Sequence, residues 1–405
     1  MPSVLSTIDP DVLTIANLVR THQALTRQEL ARRTGMGRNT VSALVGTAIE
    51  AGLLVPDGSA PSTGGRAPQT WRFCQETGRI LVIGVHSETL MLAVTDLGGR
   101  TLSSRTRPWQ ISDGPEATFT QALSDFEDMQ AGLPDAARTV WGAGVSLPGP
   151  INHLTGRPTA PPIMPGWDGF DVRGWLEQRL GVGVVVDNDV NTMLLGYATS
   201  LPAQRHRDPG DILYVHFGTG IGAGLMSGGH IHRGADGAAG DIGHVRVTEA
   251  DNVVCRCGRT GCLEAVAGGW ALLRDARRAA KDGLSPHLKG RLHSSGALGL
   301  DDIVSGVAAG DTECLTLVVR SATAVGQALA MVVSFFNPRR VVLAGPLPEG
   351  CPLFVTAAER IVRERALTLA TQGLEIIAGN HEAQDERHGA AILAVDALFA
   401  KETSA

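Results

Sequence analysis

Residues 240–264, GDIGHVRVTEADNVVCRCGRTGCLE, hold the side chains whose types and spacing point most directly to chemistry. Three of the six cysteines fall here, Cys255, Cys257 and Cys262, and His244 stands eleven positions upstream of the first. Three thiolates and one imidazole make a closed four-ligand set. That suits a structural zinc ion rather than a catalytic one, whose fourth position stays open to water. Gly258 and Gly261 fall where a tight knuckle must turn back so that the sulfurs converge at about 2.3 Å from one ion. The alternative is three free cysteines in a loop. Asp241 ahead of His244, and Glu264 two positions after the last cysteine, flank the clip with carboxylates suited to holding a polar ligand.

A second polar group, Asp187-Asn188-Asp189, ends an apolar strand over 182–186 and begins a helix over 190–197. A helix N-terminus there turns polar groups toward a cleft, although an aspartate in that place also serves simply as an N-cap. Gly149, in Leu147-Pro148-Gly149-Pro150, brings backbone close to the same ligand. These groups need a frame. From Arg79 the chain reads as three short strands, 80–86, 89–95 and 101–108, and the pattern returns at 212–217, 222–227 and 230–233. Helices and strands follow each set: 116–130, 140–146, 172–180 and 182–186 in the first half, and four or more helices in the second. An approximate internal duplication of a three-strand meander predicts two lobes. The ligand cleft is expected between them, where glycine loops converge.

Residues 1–72 read differently. Val12, Leu13, Ile15, Ala16, Leu18 and Val19 recur with helical spacing over about 9–21. Thr26 and Glu29 form a capping box that opens a second helix, which stops at Gly35. A third helix covers about 38–51, with Val41, Leu44, Val45 and Ala48 inward. This is the pattern of a helix-turn-helix, whose third helix presents Arg38, Asn39, Thr40, Ser42 and Ala43 to base edges and phosphates. Residues 53–55 and 70–73 pair as a wing around a Pro-, Gly- and Ser-rich loop, where Arg66 follows two glycines and reaches for a narrow minor groove. The alternative is a helical docking domain with a flexible linker. The segment has seven arginines and no lysine against five acids, a net +2, which leaves −8 for the rest of a chain of formal charge −6. Arginine is the side chain suited to phosphates and guanine edges.

The G-D-I-G-H run followed by C-x-C-G-x-x-G-C-x-E resembles the zinc motif of the ROK family, which joins sugar kinases with sugar-responsive transcriptional repressors. The likeness runs from about residue 79 to the C-terminus. It implies an α/β fold: a two-lobed actin-like ATPase (ROK) domain over 76–405, preceded here by a winged helix-turn-helix over 1–75 of the kind that repressor members carry and kinases generally lack. The resemblance implies a sugar site of Gly149, Asn188, Asp189, Asp241, His244 and Glu264, with Asp189 in the position of the kinase general base. It also implies that His244 holds zinc through one ring nitrogen and donates to a sugar hydroxyl through the other. Asp241 stands where the family usually has glutamate. In the kinases the turn after the first strand reads D-x-G, and here His86 and Glu88 take those positions, where a carboxylate repels phosphate. The segment 341–346 also departs from the usual paired glycine. ATP and Mg2+ are therefore not expected, and the glycine-rich 218–224 is either a surviving phosphate cradle or a tight hairpin.

With 405 residues, 43% hydrophobic and 19% charged, the chain is an ordinary globular one of two or three domains. Its first ten residues have no positive stretch ahead of an apolar run, and the most apolar later segment, 324–336, contains Gln327. Neither export nor a membrane span is expected, and cysteines arranged as ligands fit a reducing cytoplasm. Cys74, Cys314 and Cys351 are expected in the core. The unified reading is a cytoplasmic regulator with structural Zn2+ that binds operator DNA and responds to a sugar or sugar phosphate as a homodimer or homotetramer. The helix over 311–336 either contributes to a dimer core or is buried within its domain. The competing readings are an active ATP-dependent sugar kinase with an accessory N-terminal domain, and a regulator whose pocket no longer takes a sugar.

Overall fold

The computed structural model describes residues 8–59, 67–134, 139–201, 210–248, 253–379 and 382–400. α1 (Pro10–Arg20) is capped by Asp9, whose carboxylate accepts from the Asp11 amide. α2 (Arg27–Thr34) opens on the expected capping box: the Glu29 amide donates to the Thr26 hydroxyl and the Thr26 amide to the Glu29 carboxylate. Gly35 ends it at φ 72°. α3 (Arg38–Glu50) buries Val41, Val45 and Ala48. β1 (Leu54–Ser59) and β2 (Gln69–Phe73) pair antiparallel with Leu54 opposite Phe73. The wing strands are thus in place, while the expected tip residue Arg66 lies outside the described residues.

The first lobe contains β3 (Arg79–Val85), β4 (Thr89–Asp96), β5 (Thr101–Pro108), α4 (Pro115–Ala131) and β6 (Val140–Leu147). The short pair β7 (Ile151–Asn152) and β8 (Arg157–Pro158) follows, then α5 (Val172–Leu180), β9 (Gly183–Asn188) and α6 (Asp189–Ser200). Its sheet runs β5-β4-β3-β6-β9, antiparallel through the meander and parallel from β3 to β9. The second lobe contains β10 (Ile212–Phe217), β11 (Ile221–Ser227), β12 (His230–Ile231), β13 (Arg340–Ala344) and β14 (Glu375–Ala378). They run β12-β11-β10-β13-β14 with the same senses. The duplication therefore extends beyond the meander to all five strands. β12 is shorter than the expected 230–233, because the chain leaves the ladder and Arg233 turns to Asp187 of the first lobe.

Parallel strands are buried on both faces, and β3 shows how two cores share one strand. Leu81, Ile83 and Val85 pack with Phe119, Phe126 and Trp167. Ile80 and Val82, on the other face, join one apolar cluster with Ala390, Ala394 and Phe399 of the C-terminal helix Glu382–Ala400 and with Val12, Leu13 and Trp71 of the winged helix. Apolar packing is continuous across residue 75. The long helix Thr312–Phe336 has the length and composition of a membrane span, yet twelve of its 25 residues are buried in the second-lobe core. Cys314 and Cys351 are buried as expected, whereas Cys74 is half-buried in the turn after β2, with its thiol 3.6 Å from the Glu76 carboxylate.

Candidate functional site

The lobes meet around a cavity of about 190 Å³, lined by all six residues singled out for a sugar: Gly149, Asn188, Asp189, Asp241, His244 and Glu264. Gly149 follows β6 at φ +83°, a backbone state that favours glycine, and its carbonyl accepts from Asn188 Nδ2 at 3.1 Å. Asn188, not Asp189, caps α6, its Oδ1 accepting from the amides of Val190 and Asn191 at 2.9 and 3.4 Å. Asp189 is the first helical residue, and burial pushes its carboxyl up to about 6 against the pull of His216. Beneath them Asp187 accepts from the Asn188 amide and from Asn191 Nδ2. Arg233 of the second lobe reaches Asp187 at 2.6 Å, an ion pair that ties the lobes together beside the cleft.

On the second-lobe wall the ligand atoms of His244, Cys255, Cys257 and Cys262 lie within 4.8 Å of one another. His244 Nδ1 is 3.6 Å from Cys255 Sγ, and the sulfurs of Cys257 and Cys262 are 3.8 Å apart. Four ligands at about 2.3 Å from one ion stand about 3.8 Å from each other on a tetrahedron, so the donor set fits zinc. Gly258 and Gly261 turn the knuckle at φ +84° and +73°, and a Cβ at Gly261 would lie 2.2 Å from the Thr248 carbonyl. Burial pushes the Cys255 thiol up to about 12. At Cys257 burial is outweighed by hydrogen bonds from Arg259, which bring the thiol down to about 7. His244 Nε2, the nitrogen not used in the cluster, is 4.0 Å from Asp241 Oδ1. Arg256, between two of the cysteines, stacks 5.0 Å over the Trp270 ring, and Trp270 Nε1 donates to Glu264 at 3.1 Å. The knuckle is thereby linked to the cleft wall.

A carboxylate stands against the turn after the first strand of each lobe. After β3, His86 lines the cleft with Nε2 3.2 Å from the buried carboxylate of Glu386, and Ser146 Oγ donates to Glu386 at 2.6 Å. Burial pushes the Glu386 carboxyl up, but the His86 charge and the bonds from His86 and Ser146 outweigh it and hold it below the usual carboxylate range. Glu88 is a correction to the sequence reading. It is exposed and does not line the cleft, because the turn points it outward while its carbonyl accepts from the Trp109 amide. After β10, the glycine loop closes on Glu264: the Ile221 amide donates to its Oε2 at 3.2 Å, and a Cβ at Gly220 would lie 2.2 Å from that oxygen. Glu386, Ser146, His216 and Trp270 were not singled out from sequence, and no short motif marks them, since Glu386 stands 240 positions from Ser146.

In the winged helix Arg38, Asn39 and Thr40 are exposed at the start of α3, while Ser42 is half-buried with its hydroxyl donating to the Arg38 carbonyl.

Known proteins match this arrangement. The ROK family matches residues 81–397. A putative xylose repressor of Caldicellulosiruptor sp. (strain Rt8B.4) is 26% identical over 354 residues, 87% of each chain. A glucokinase of Halalkalibacterium halodurans is 27% identical over 301 residues, which is 72% of this chain and 88% of its own. Among solved structures, a ROK family transcriptional regulator, a homologue of the E. coli Mlc protein, shares the fold with a TM-score of 0.79 over 96% of both chains at 21% identity. The cleft, the cysteine knuckle and the duplicated sheets, but for the first two residues of β3, lie within the matched span, and the chain belongs to the ROK family.

Proposed function

We propose that this chain is a sugar-responsive, DNA-binding transcriptional regulator of repressor type, in which a sugar or sugar phosphate in the cleft alters operator binding by paired winged helices in a homodimer or homotetramer. The observation that carries this reading is that a single helix joins the cleft to the winged helix. The C-terminal helix begins at the cleft, where Glu386 meets His86 and Ser146. It ends at the winged helix, where Asp396 pairs with Arg20 at 2.7 Å and the Phe399 ring meets Phe73 at 5.7 Å. The thirteen residue steps from Glu386 to Phe399 span about 20 Å of helix. A Cβ at Gly389 would lie 1.8 Å from the Thr192 carbonyl, and one at Gly196 would lie 1.9 Å from the Asp385 carbonyl. This backbone contact locks the C-terminal helix to α6, whose first turn carries Asn188 and Asp189. A ligand that closes the lobes on that turn therefore moves the helix on which the winged helix rests.

His244, Cys255, Cys257 and Cys262 would hold zinc, which would supply a cross-link fixing His244 against the cleft. Two xylose repressor relatives, one of them putative, match 87% and 90% of this chain and two glucokinases 72% and 70%, which supports a regulatory role for the N-terminal segment. We assign no phosphoryl transfer to the chain. Glu386 at the first turn and Glu264 at the second occupy places where transfer needs donors to phosphate oxygens.

The test is selection of genomic DNA fragments by the full chain and by Arg38→Ala and Asn39→Ala, at two salt concentrations. Point variants are preferable to removing residues 1–72, which cover Ile80 and Val82. Enrichment of a two-fold symmetric site, weakened about tenfold in the variants, is expected. Enrichment of no defined site contradicts the reading, and sugar-dependent ADP release near about 1 s⁻¹ would establish the kinase instead.

A further inference from the structure

We propose that the cysteine knuckle is a peroxide-sensitive switch, in which oxidation joins Cys257 to Cys262 and opens the four-ligand cluster. The three thiols are not equivalent. Cys255 and Cys262 are buried, whereas Cys257 is half-buried. Arg256 and Arg259 stand on either side of it in the chain, both exposed, and the Arg259 guanidinium bonds its sulfur. A partly accessible sulfur in an electropositive setting is the reactive kind of cysteine, and metal ligation keeps such a sulfur ionised. A second sulfur is at hand. Cys262 Sγ lies 3.8 Å away, so a bond of about 2.05 Å needs an approach of less than about 2 Å. Cys314 and Cys351 are buried in the second-lobe core and Cys74 faces Glu76, which leaves the knuckle as the place where oxidation finds both an accessible target and a partner.

The oxidant the switch needs is a hydroperoxide, of which hydrogen peroxide is the simplest. The Cys257 thiolate attacks one peroxide oxygen, the O–O bond breaks, and a sulfenic acid forms as hydroxide leaves. The Cys262 thiolate then attacks the Cys257 sulfur and displaces a second hydroxide, which completes the disulfide. Two thiolates are oxidised and one peroxide is reduced to two hydroxide ions. Two of the four metal ligands are thereby consumed. Arg256, stacked on Trp270, and Trp270, bonded to Glu264, carry the opening to the Ile221 amide. Under the sugar-sensing reading this loosens the second-lobe wall of the cleft, although the switch itself does not depend on that reading.

The experiment treats the full-length, zinc-loaded protein at pH 7.5 with hydrogen peroxide in small molar excess. Cys74→Ser, which removes the other partly accessible thiol, is treated alongside. Zinc release is followed with a chelating dye, cysteine pairing by non-reducing peptide mass spectrometry, and loop opening by amide exchange. Both proteins are expected to release about one zinc per chain together with a Cys257–Cys262 disulfide. Exchange at Ile221 quickens by about tenfold, the scale of one hydrogen bond to a charged acceptor, while Val85 is unchanged, and dithiothreitol with added zinc restores the starting state. Zinc retained under conditions that oxidise glutathione in a parallel sample overturns the inference. So does zinc lost with the cysteines found as sulfinic acids or in other pairings, or an unchanged exchange rate at Ile221.

Discussion

The two lobes repeat one five-strand order and differ at the turn after the first strand. In the first lobe the turn is His86-Ser87-Glu88, closed by Glu386 from the C-terminal helix. In the second it is the glycine run 218–220, closed by Glu264 from just beyond the cysteine knuckle. The strand order rests on β-branched and leucine side chains buried on both faces of the central strands, which the turn residues do not disturb, so the frame persists while the turns diverge. Each turn is closed by a carboxylate of the chain itself, but the two are backed differently. Glu264 is braced through Trp270 and Arg256 by the knuckle, and Glu386 through the helix that carries the winged helix.

That difference sets an order of expected effects. Cys257→Ser, which removes a zinc ligand, acts on the second turn alone. Bound zinc falls from about one per chain to near zero, with loss of a large part of a site worth on the order of 10 kcal/mol. Amide exchange accelerates at Ile221 but not at Val85, and equal acceleration at both would erase the distinction.

Next comes Glu264→Ala, which strands the Ile221 amide and the Trp270 indole N–H. Loss of two bonds to a charged acceptor costs about 3 kcal/mol in urea unfolding, and a cost below about 1 kcal/mol would mean that the loop is not held by this carboxylate.

The two acidic groups beside the first turn, Asp189 of α6 and Glu386 of the C-terminal helix, are distinguished by pH. Asp189 has a folded pKa of about 6 against an ordinary 3.8, so its contribution to stability is full below about pH 4 and is lost as pH rises through 6. Asp189→Asn is expected to gain up to about 3 kcal/mol over the wild type at pH 7.5 and nothing at pH 4. Glu386 is shifted the other way, below its ordinary value, and its contribution is present at neutral pH and lost on acidification. Glu386→Gln therefore loses stability at pH 7.5, and a gain there would reverse the assignment of the pair.

The smallest effect is at the helix end. Asp396 is half exposed, and Asp396→Ala changes global stability by no more than about 1 kcal/mol while weakening the link between cleft and DNA. A variant whose DNA affinity responds to sugar as the wild type does would remove Arg20–Asp396 from the relay.

Much of this was legible in the sequence because the signals are local. The metal cluster spans His244 to Cys262, with glycines marking where the knuckle turns, and the capping box of Thr26 and Glu29 fixes the start of α2 by itself. The residues outside local signals were not legible. Glu386 reads as one of several charged positions on a terminal helix, and only the packing of that helix against α6 and β6 brings it to Ser146. The identity of Glu88 suggested a carboxylate facing the cleft, but the direction of a turn residue depends on which neighbours its backbone bonds, here Trp109. Nor does sequence pattern reveal that Ile80 and Val82 share an apolar cluster with α1, since their alternation with Leu81 and Ile83 is the same for any doubly buried strand.

The central claim is that cleft and winged helix are coupled through the C-terminal helix. Its most direct test is the affinity of the full chain for its selected DNA site, by fluorescence anisotropy, with and without a saturating sugar or sugar phosphate found to bind by calorimetric titration. A change of about fivefold or more in Kd is predicted, the range of ordinary allosteric coupling. An unchanged Kd while calorimetry shows the sugar site filled would contradict it.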